Sequence, residues 1–115
     1  MVVIGAHVRG GLTGAVAHAR EIGAQAMQIF IGSPQTWREP SPAAEHVSQF
    51  LAGVDEHSLG PVFVHGNYLV NLASSSAENR RKSIDNLARA LRLADQADAQ
   101  GLIFHPGSAG KIPPH

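Results

Sequence analysis

Continuous apolar runs alternate along this chain with stretches whose apolar residues recur every three or four positions. The runs predict strands, which are Val2–Val8, Ala26–Ile31, Pro61–His65 and Gly101–Phe104. A strand that is apolar throughout is buried on both faces, which is typical of a parallel sheet covered by helices. The order β-α-β-α-β-α-β implies right-handed crossovers between parallel neighbours. The pattern therefore predicts an α/β protein.

The first two helices are predicted from stripes of apolar residues at helical spacing. The stripe of the first helix contains Leu12, Val16, Ala19 and Ile22, and Gly23 is a suitable helix stop. The stripe of the second helix contains Val47, Phe50, Leu51 and Val54. Ser41 is the predicted N-cap of the second helix and Pro42 its first residue, because these residue types suit those positions. His46 and His57 lie off this stripe and are predicted to be solvated surface residues.

The third helix is predicted to take its N-cap from Ser74–Ser76. Its predicted core stripe contains Ile84, Leu87, Leu91 and Ala94. The basic residues Arg80, Arg81 and Lys82 lie mostly outside the stripe, and a charge run on a helix is usually a solvated face. Their place near the helix N-terminus, at the end of the fold where the strands end, leaves a minor role in attracting phosphate open.

Two predicted strands end in histidine, at His65 and His105. The C-terminal ends of parallel strands are where α/β folds place chemistry. Imidazoles at the ends of adjacent strands lie roughly 5 Å apart, a gap that two Zn–N bonds of about 2.0–2.1 Å can span. A single such histidine is more often a polar residue with a backbone partner. Two in equivalent positions, with His7 at the end of a third strand, favour half of a zinc site.

Composition limits the class of protein. The chain has 115 residues, of which 43% are apolar and 16% charged, a globular mix that fits one domain at most. The formal net charge of zero gives no global basic field for nucleic acid. The absence of cysteine excludes disulfides and thiolate metal sites. With no signal-like N-terminus and no apolar run long enough to cross a membrane, a cytoplasmic protein is expected.

Four separated motifs together resemble the opening of the endonuclease IV family. They are Ile4–Gly11, Gln28–Trp37, His65–Ser74 and Phe104–Ser108, and they occur with the order and spacing of that family. The resemblance covers nearly the whole chain, to about Lys111. It implies a (β/α)8 TIM barrel with a site for three zinc ions at its C-terminal face. It also implies hydrolysis of the backbone of double-stranded DNA on the 5′ side of an abasic site.

The resemblance also implies roles for individual residues. His65 and His105 match the first two histidine ligands, and His7 matches an active-site histidine that is not a primary ligand. Tyr68 matches an aromatic residue that enters DNA near the lesion. A loop that penetrates the minor groove is matched by Ser33, Gln35 and Trp37.

Each of these loop residues has an alternative interpretation. Tyr68 could pack under the mouth of the barrel, and Trp37 is expected to be a packing residue more than a DNA contact. Gln35 and Ser33 stand where other members carry Arg and Asn. A neutral Gln can wedge or donate a hydrogen bond, but it lacks the attraction of a guanidinium for phosphate.

A multinuclear zinc site needs carboxylates, and none of the acidic residues lies at a strand end. In the family, the remaining ligands come from later strands. The chain is therefore expected to be a single partial domain, 1–115, the N-terminal half of a barrel, with at most one partial zinc site and no activity of its own. Pro113 and Pro114 are predicted to break the expected fourth helix.

Open sheet edges are expected to make this fragment self-associate. Two other interpretations stay open beside the nuclease. One is a metal-dependent sugar isomerase or epimerase on the related barrel, and the other is a non-enzymatic half-barrel that pairs with itself or with another chain.

Overall fold

A parallel sheet flanked by helices forms the body of the computed structural model, which describes residues 2–110. The strands are β1 (Gly5–His7), β2 (Ala26–Ile29), β3 (Val62–His65) and β4 (Gly101–Ile103). The helices are α1 (Gly11–Ile22), α2 (Ala44–Glu56) and α3 (Ala77–Gln96). The sheet order is β1-β2-β3-β4, with all neighbours parallel. This is the half-barrel pattern of a TIM barrel, as predicted. The predicted break at Pro113 and Pro114 lies outside the described residues.

The first strand is shorter than its apolar run. The run Val2–Val8 was predicted as one strand, but only Gly5–His7 pairs with β2. Gly5 pairs with Ala26, the first residue of β2, so the residues before Gly5 have no strand partner in β2. Ile4 exchanges hydrogen bonds with Gln25, the residue that precedes β2. The apolar side chains of Val2 and Val3 are exposed as a result.

Helix α1 ends as predicted at Gly23. This residue adopts a φ of +73°, which favours glycine, and its N–H donates to the carbonyls of Ala19 and Arg20. Ala19 is buried against the sheet, whereas Ile22, in the same predicted stripe, is half exposed. The stripe drifts out of the interface in the last turn of the helix.

Helix α2 begins later than predicted. Its N-cap is Ala43, which has extended backbone angles and no side-chain cap, so Ser41 and Pro42 lie before the helix. The stripe itself is correct, because Phe50 lies in the core and Leu51 and Val54 pack against it. His46 is exposed as predicted, whereas His57 is partly buried.

Helix α3 begins at a predicted cap. The Ser76 hydroxyl accepts a hydrogen bond from the Asn79 N–H at 3.2 Å. The predicted stripe is only half right, because Leu87 and Ala94 are buried while Ile84 and Leu91 are 60% and 55% exposed. The face against the sheet is rotated by about one position. It includes the fully buried Ser83, whose hydroxyl is satisfied within its own turn by donating to the Asn79 carbonyl.

The core lies between the sheet and the helices and is built mainly from Val8, Met27, Ile29, Phe50, Val62 and Val64. Side chains from β2 and β3 provide its centre, which holds the C-terminal ends of these strands in place. Over residues 2–110, the helices are too short or too polar to cross a membrane.

Candidate metal centre at the strand ends

His65 and His105 lie side by side at one end of the sheet. His65 is the last residue of β3, and His105 follows the adjacent strand β4 by two positions. Their ring centroids are 5.3 Å apart. Two imidazoles that share a tetrahedral zinc ion have centroids roughly 5 Å apart, given Zn–N bonds of about 2.0–2.1 Å. The structure thus brings the two side chains to a spacing that one metal ion can bridge.

A backbone contact orients the His65 ring. Its Nδ1 lies 2.7 Å from the carbonyl oxygen of Gly66. A carbonyl can only accept, so Nδ1 carries the proton and Nε2 keeps its lone pair. Zinc-binding histidines usually have their second ring nitrogen held in this way. His65 is therefore already in the tautomer that binds metal through Nε2.

His7 has the opposite tautomer. The Gln28 side chain, on the neighbouring strand, places Nε2 2.9 Å from Nδ1 of His7. An amide NH₂ group can only donate, so Nδ1 of His7 accepts and its Nε2 carries the proton. Partial burial of the ring, and then the nearby His65, lower the pKa of His7 below its usual value. His7 is thus a neutral N–H donor next to the pair and has no free Nδ1 for a metal.

Phe30 links the aromatic rings of the site. It follows β2, and its ring centroid lies 4.8 Å from that of His7, 5.2 Å from that of His65 and 5.3 Å from that of Tyr68. Tyr68 also contacts His65 in an edge geometry at 5.7 Å. Its side chain is nevertheless 57% exposed. One side of Tyr68 is thus supported by packing, and the rest is accessible to a ligand.

The loop that contains Ser33, Gln35 and Trp37 is tied to the loop after β3. The Tyr68 N–H donates to the Pro34 carbonyl at 2.9 Å, and the Asn67 amide donates to the Thr36 carbonyl at 2.5 Å. Ser33 and Gln35 are exposed, whereas Trp37 is partly buried. The structure therefore presents Gln35 and Tyr68 from two loops that are hydrogen-bonded to each other.

The basic residues at the start of α3 make local contacts. Arg80 donates to the Ser74 carbonyl at 2.5 Å, and Lys82 lies 3.3 Å from the Glu78 carboxylate one helical turn away. Both contacts are exposed, so they leave these charges in water. Arg81 is exposed as well. The structure does not bring this cluster into contact with the two histidines.

The donor set of the site consists of imidazoles. Within residues 2–110 there is no group of three or more His, Cys, Asp or Glu side chains arranged to hold a metal ion. The chemistry and spacing of His65 and His105 fit two ligands of a zinc ion. Zinc takes four ligands, so this pair is an incomplete site.

Several residues of the site were not singled out from the sequence. Phe30 was part of a motif without a role, and Gln28 and Asn67 were assigned none. One signal was available for Gln28, because a polar side chain inside an apolar strand needs a partner. Nothing local marks Asn67, since its partner lies 31 positions away.

A sequence model of the xylose isomerase-like TIM barrel family matches residues 16–115. The chain belongs to this family. It is 38% identical over 109 residues to probable endonuclease 4 of Thermoplasma volcanium, an alignment that covers 93% of this chain and 39% of that protein. It is 40% identical over 99 residues to probable endonuclease 4 of Solibacter usitatus, covering 86% of this chain and 34% of that protein. The chain therefore spans less than half the length of these relatives.

Solved structures give the same picture. Endonuclease IV from Thermus thermophilus superposes with a TM-score of 0.81 at 32% identity, covering 92% of this chain and 41% of that chain. The predicted resemblance to the N-terminal portion of endonuclease IV is confirmed. The 3-keto-D-glucoside 4-epimerase of E. coli superposes with a TM-score of 0.61 at 14% identity, covering 89% of this chain and 37% of that chain. This second match shows a shared fold alone.

Proposed function

We propose that the chain carries the N-terminal part of a zinc-dependent DNA repair endonuclease, which hydrolyses the backbone on the 5′ side of an abasic site. The observation that supports this most directly is the pair of imidazoles, His65 and His105, with ring centroids 5.3 Å apart at adjacent strand ends. The similarity to proteins named endonuclease 4 supports a nuclease over a sugar isomerase or epimerase, since the epimerase match extends only to the fold.

In this proposal, His65 and His105 are ligands of one zinc ion. His65 offers Nε2, because its Nδ1–H is donated to Gly66. His7 is an active-site residue that donates from Nε2 and is not a ligand. When bound, zinc lowers the pKa of a water molecule and neutralises phosphate charge. A complete site of three ions needs carboxylates, and these two residues provide at most one partial site.

The two connected loops are the proposed DNA contacts. Tyr68 enters the duplex at the lesion, where a missing base lowers the cost of unstacking. Its ring rests on Phe30 and His65, so insertion brings the backbone next to the metal ligands. Ser33, Gln35 and Trp37 are the proposed minor-groove residues. Gln35 is neutral and contributes hydrogen bonds without attracting phosphate.

The 115-residue polypeptide, as a single partial domain, is proposed to be inactive alone. Two imidazoles with no converging carboxylate among residues 2–110 bind zinc weakly and cannot assemble a cluster of ions. The apolar side chains exposed beside the sheet edges are proposed to make it self-associate.

Zinc titration by calorimetry tests the metal site. We expect one weak zinc site in the wild type that is abolished by His65→Ala or by His105→Ala. His46→Ala is the matched control, because it removes an imidazole that is exposed on α2 and does not stand at a strand end. Zinc binding that survives both site variants, or that is equally reduced by the control, would contradict the proposed ligands.

Cleavage of a duplex with a single abasic site tests the activity. Rigorously purified wild type is expected to leave the strand intact with zinc present. A zinc-dependent nick that disappears in His65→Ala would overturn the proposed inactivity while supporting the nuclease assignment. Anisotropy of the same duplex with Tyr68→Ala tests the DNA contact, and an unchanged affinity would argue against it.

A further inference from the structure

The side chain of Asn71 joins the loop after β3 to the loop after β4. Its Nδ2 donates to the carbonyl of Ser108 at 3.0 Å, and its Oδ1 accepts from the Ser108 N–H at 3.1 Å. The same oxygen accepts from the Ala73 N–H at 3.0 Å. A single amide thus satisfies both backbone polar groups of Ser108, which makes the contact directional at both ends.

The backbone of Asn71 is hydrogen-bonded to helix α3. The Asn71 N–H donates to the hydroxyl of Ser83 at 2.8 Å, and that hydroxyl donates to the Asn79 carbonyl at 2.7 Å. Ser83 is completely buried. Buried hydrogen bonds of this kind hold a fixed geometry, because no water is present to replace a lost partner. Asn71 is therefore a fixed point in the loop after β3.

The loop after β4 is shaped to meet Asn71. Gly107 has a φ of +101°, and a Cβ at this position would overlap the Asn71 Oδ1. Only glycine allows both this backbone conformation and this approach. Next to it, the Pro106 carbonyl accepts from the Leu72 N–H at 2.8 Å. The segment immediately after His105 is thus hydrogen-bonded to the segment around Asn71.

His105 depends on these contacts more than His65 does. His65 belongs to the β3 ladder and its ring is bonded to Gly66. His105 lies two positions beyond the last residue of β4, outside the ladder and exposed. The hydrogen bonds on its far side are those of Pro106 and Ser108 with the loop after β3.

We propose that Asn71 is a positioning residue that holds His105 opposite His65. The spacing of the two rings is then set before any ligand binds, because the Asn71 contact joins the two loops that follow them. The role of this spacing in metal binding rests on the function proposed above. The positioning itself does not, so the two can be tested separately.

Nuclear magnetic resonance of the metal-free 115-residue chain tests the positioning. We expect ring-to-ring NOEs between His65 and His105 in the wild type and in Asn79→Ala. Asn79 is the matched control, because its side chain is exposed and only its backbone carbonyl serves the anchor. In Asn71→Ala these NOEs should disappear, while the amide protons of β2 and β3 stay protected from exchange. Retention of the NOEs at wild-type intensity in a folded Asn71→Ala would overturn the proposal.

Two further variants keep the proposal testable if Asn71→Ala does not fold. Gly107→Ala separates the loops without changing Asn71 and should also remove the NOEs. Asn71→Asp keeps the two accepted hydrogen bonds and loses the donated one, so the NOEs should be weakened but present. Wild-type NOEs in Gly107→Ala would count against the proposal as directly as in Asn71→Ala.

Zinc affinity then connects positioning to metal binding. Loss of a group that orients a ligand typically lowers metal affinity about 10–100-fold. We expect a decrease in that range for Asn71→Ala, a smaller one for Asn71→Asp and none for Asn79→Ala. If the wild type binds no zinc while its NOEs depend on Asn71, the proposed metal function fails and the positioning role stands. Equal zinc affinity in wild type and Asn71→Ala would show that the Asn71 contact does not serve the ligands.

Discussion

Gln28 donates a hydrogen bond to Nδ1 of His7 across the β1–β2 pair, at 2.9 Å. The two residues are in register in the sheet, so the contact is set by strand pairing. It places the His7 proton on Nε2, so its Nδ1 is not free, unlike the Nε2 of His65. Sheet register thus decides which ring nitrogen of His7 carries the proton.

The Gln28→Glu variant should move the His7 proton. A carboxylate accepts where the amide donates, so Nδ1 of His7 must then carry a hydrogen. Long-range ¹H–¹⁵N spectra of the metal-free chain at a fixed pH of about 8, well above the usual histidine pKa, should show Nε2–H in the wild type and Nδ1–H in Gln28→Glu. Gln28→Leu is the control that removes the partner without replacing it. The same protonated nitrogen in the wild type and Gln28→Glu would contradict this hydrogen bond.

Asn67→Ala should release the loop of Gln35 from the loop of Tyr68. The variant loses the bond from the Asn67 amide to Thr36 and the bond from the Leu69 N–H to the Asn67 oxygen. The net contribution of one hydrogen bond to stability is about 1 kcal/mol. Urea denaturation should therefore report a loss of about 1–2 kcal/mol in the free energy of unfolding.

The local readout for Asn67→Ala is exchange of the Tyr68 amide, which donates to Pro34. This proton should exchange faster than in the wild type, while amides of β3 remain protected. Asn86→Ala on α3 serves as a control with the same change of side chain. Unchanged Tyr68 exchange would mean that the two loops are held together by other contacts.

Replacing Ser76 and replacing Ser41, both predicted cap candidates, should have different effects on the free energy of unfolding. Ser76 accepts from Asn79 and caps α3, so Ser76→Ala should lower the free energy of unfolding by about 1 kcal/mol. Ser41 lies before α2 and caps nothing, so Ser41→Ala should be close to neutral. Thermal or urea denaturation of the two variants decides this directly. A larger loss for Ser41→Ala than for Ser76→Ala would contradict the observed start of α2.

Val3→Lys should reduce self-association of the chain. Within residues 2–110, β1 pairs only with β2, and Val3 lies two positions before this edge strand with 50% of its surface exposed. A second copy that covers the edge would bury this side chain, and a lysine there opposes pairing. Sedimentation velocity at micromolar concentration should show dimers or larger species in the wild type and a shift toward monomer in Val3→Lys.

Ile22→Lys is the matched control for Val3→Lys. Ile22 is also 50% exposed, but it lies at the end of α1. The Ile22→Lys variant should leave the association state of the chain unchanged. A wild type that sediments as a clean monomer, or equal effects of the two lysines, would contradict association through the sheet edge.

Local signals were enough to predict which elements form and in which order. Apolar runs identified all four strands, because a buried parallel strand is apolar on both faces. Gly23 was identified as a helix end and Ser74–Ser76 as the range that contains a helix start, because capping depends on residues within one turn. The same runs located His65 and His105 at the strand ends that meet on one edge of the sheet.

Tertiary structure decided the properties that depend on partners far away in the chain. Ile84 and Leu91 satisfy the helical period but lie outside the interface, because the sheet selects which face of α3 is buried. Ser41 and Pro42 match the residue types of a helix start, yet the chain enters α2 only at Ala44. The bond from Asn71 to Ser108 spans 37 positions and leaves no local pattern. The sequence determined which elements form and their order, whereas the strand bounds, the tautomers, the ring spacing and the loop contacts arise only when distant residues meet.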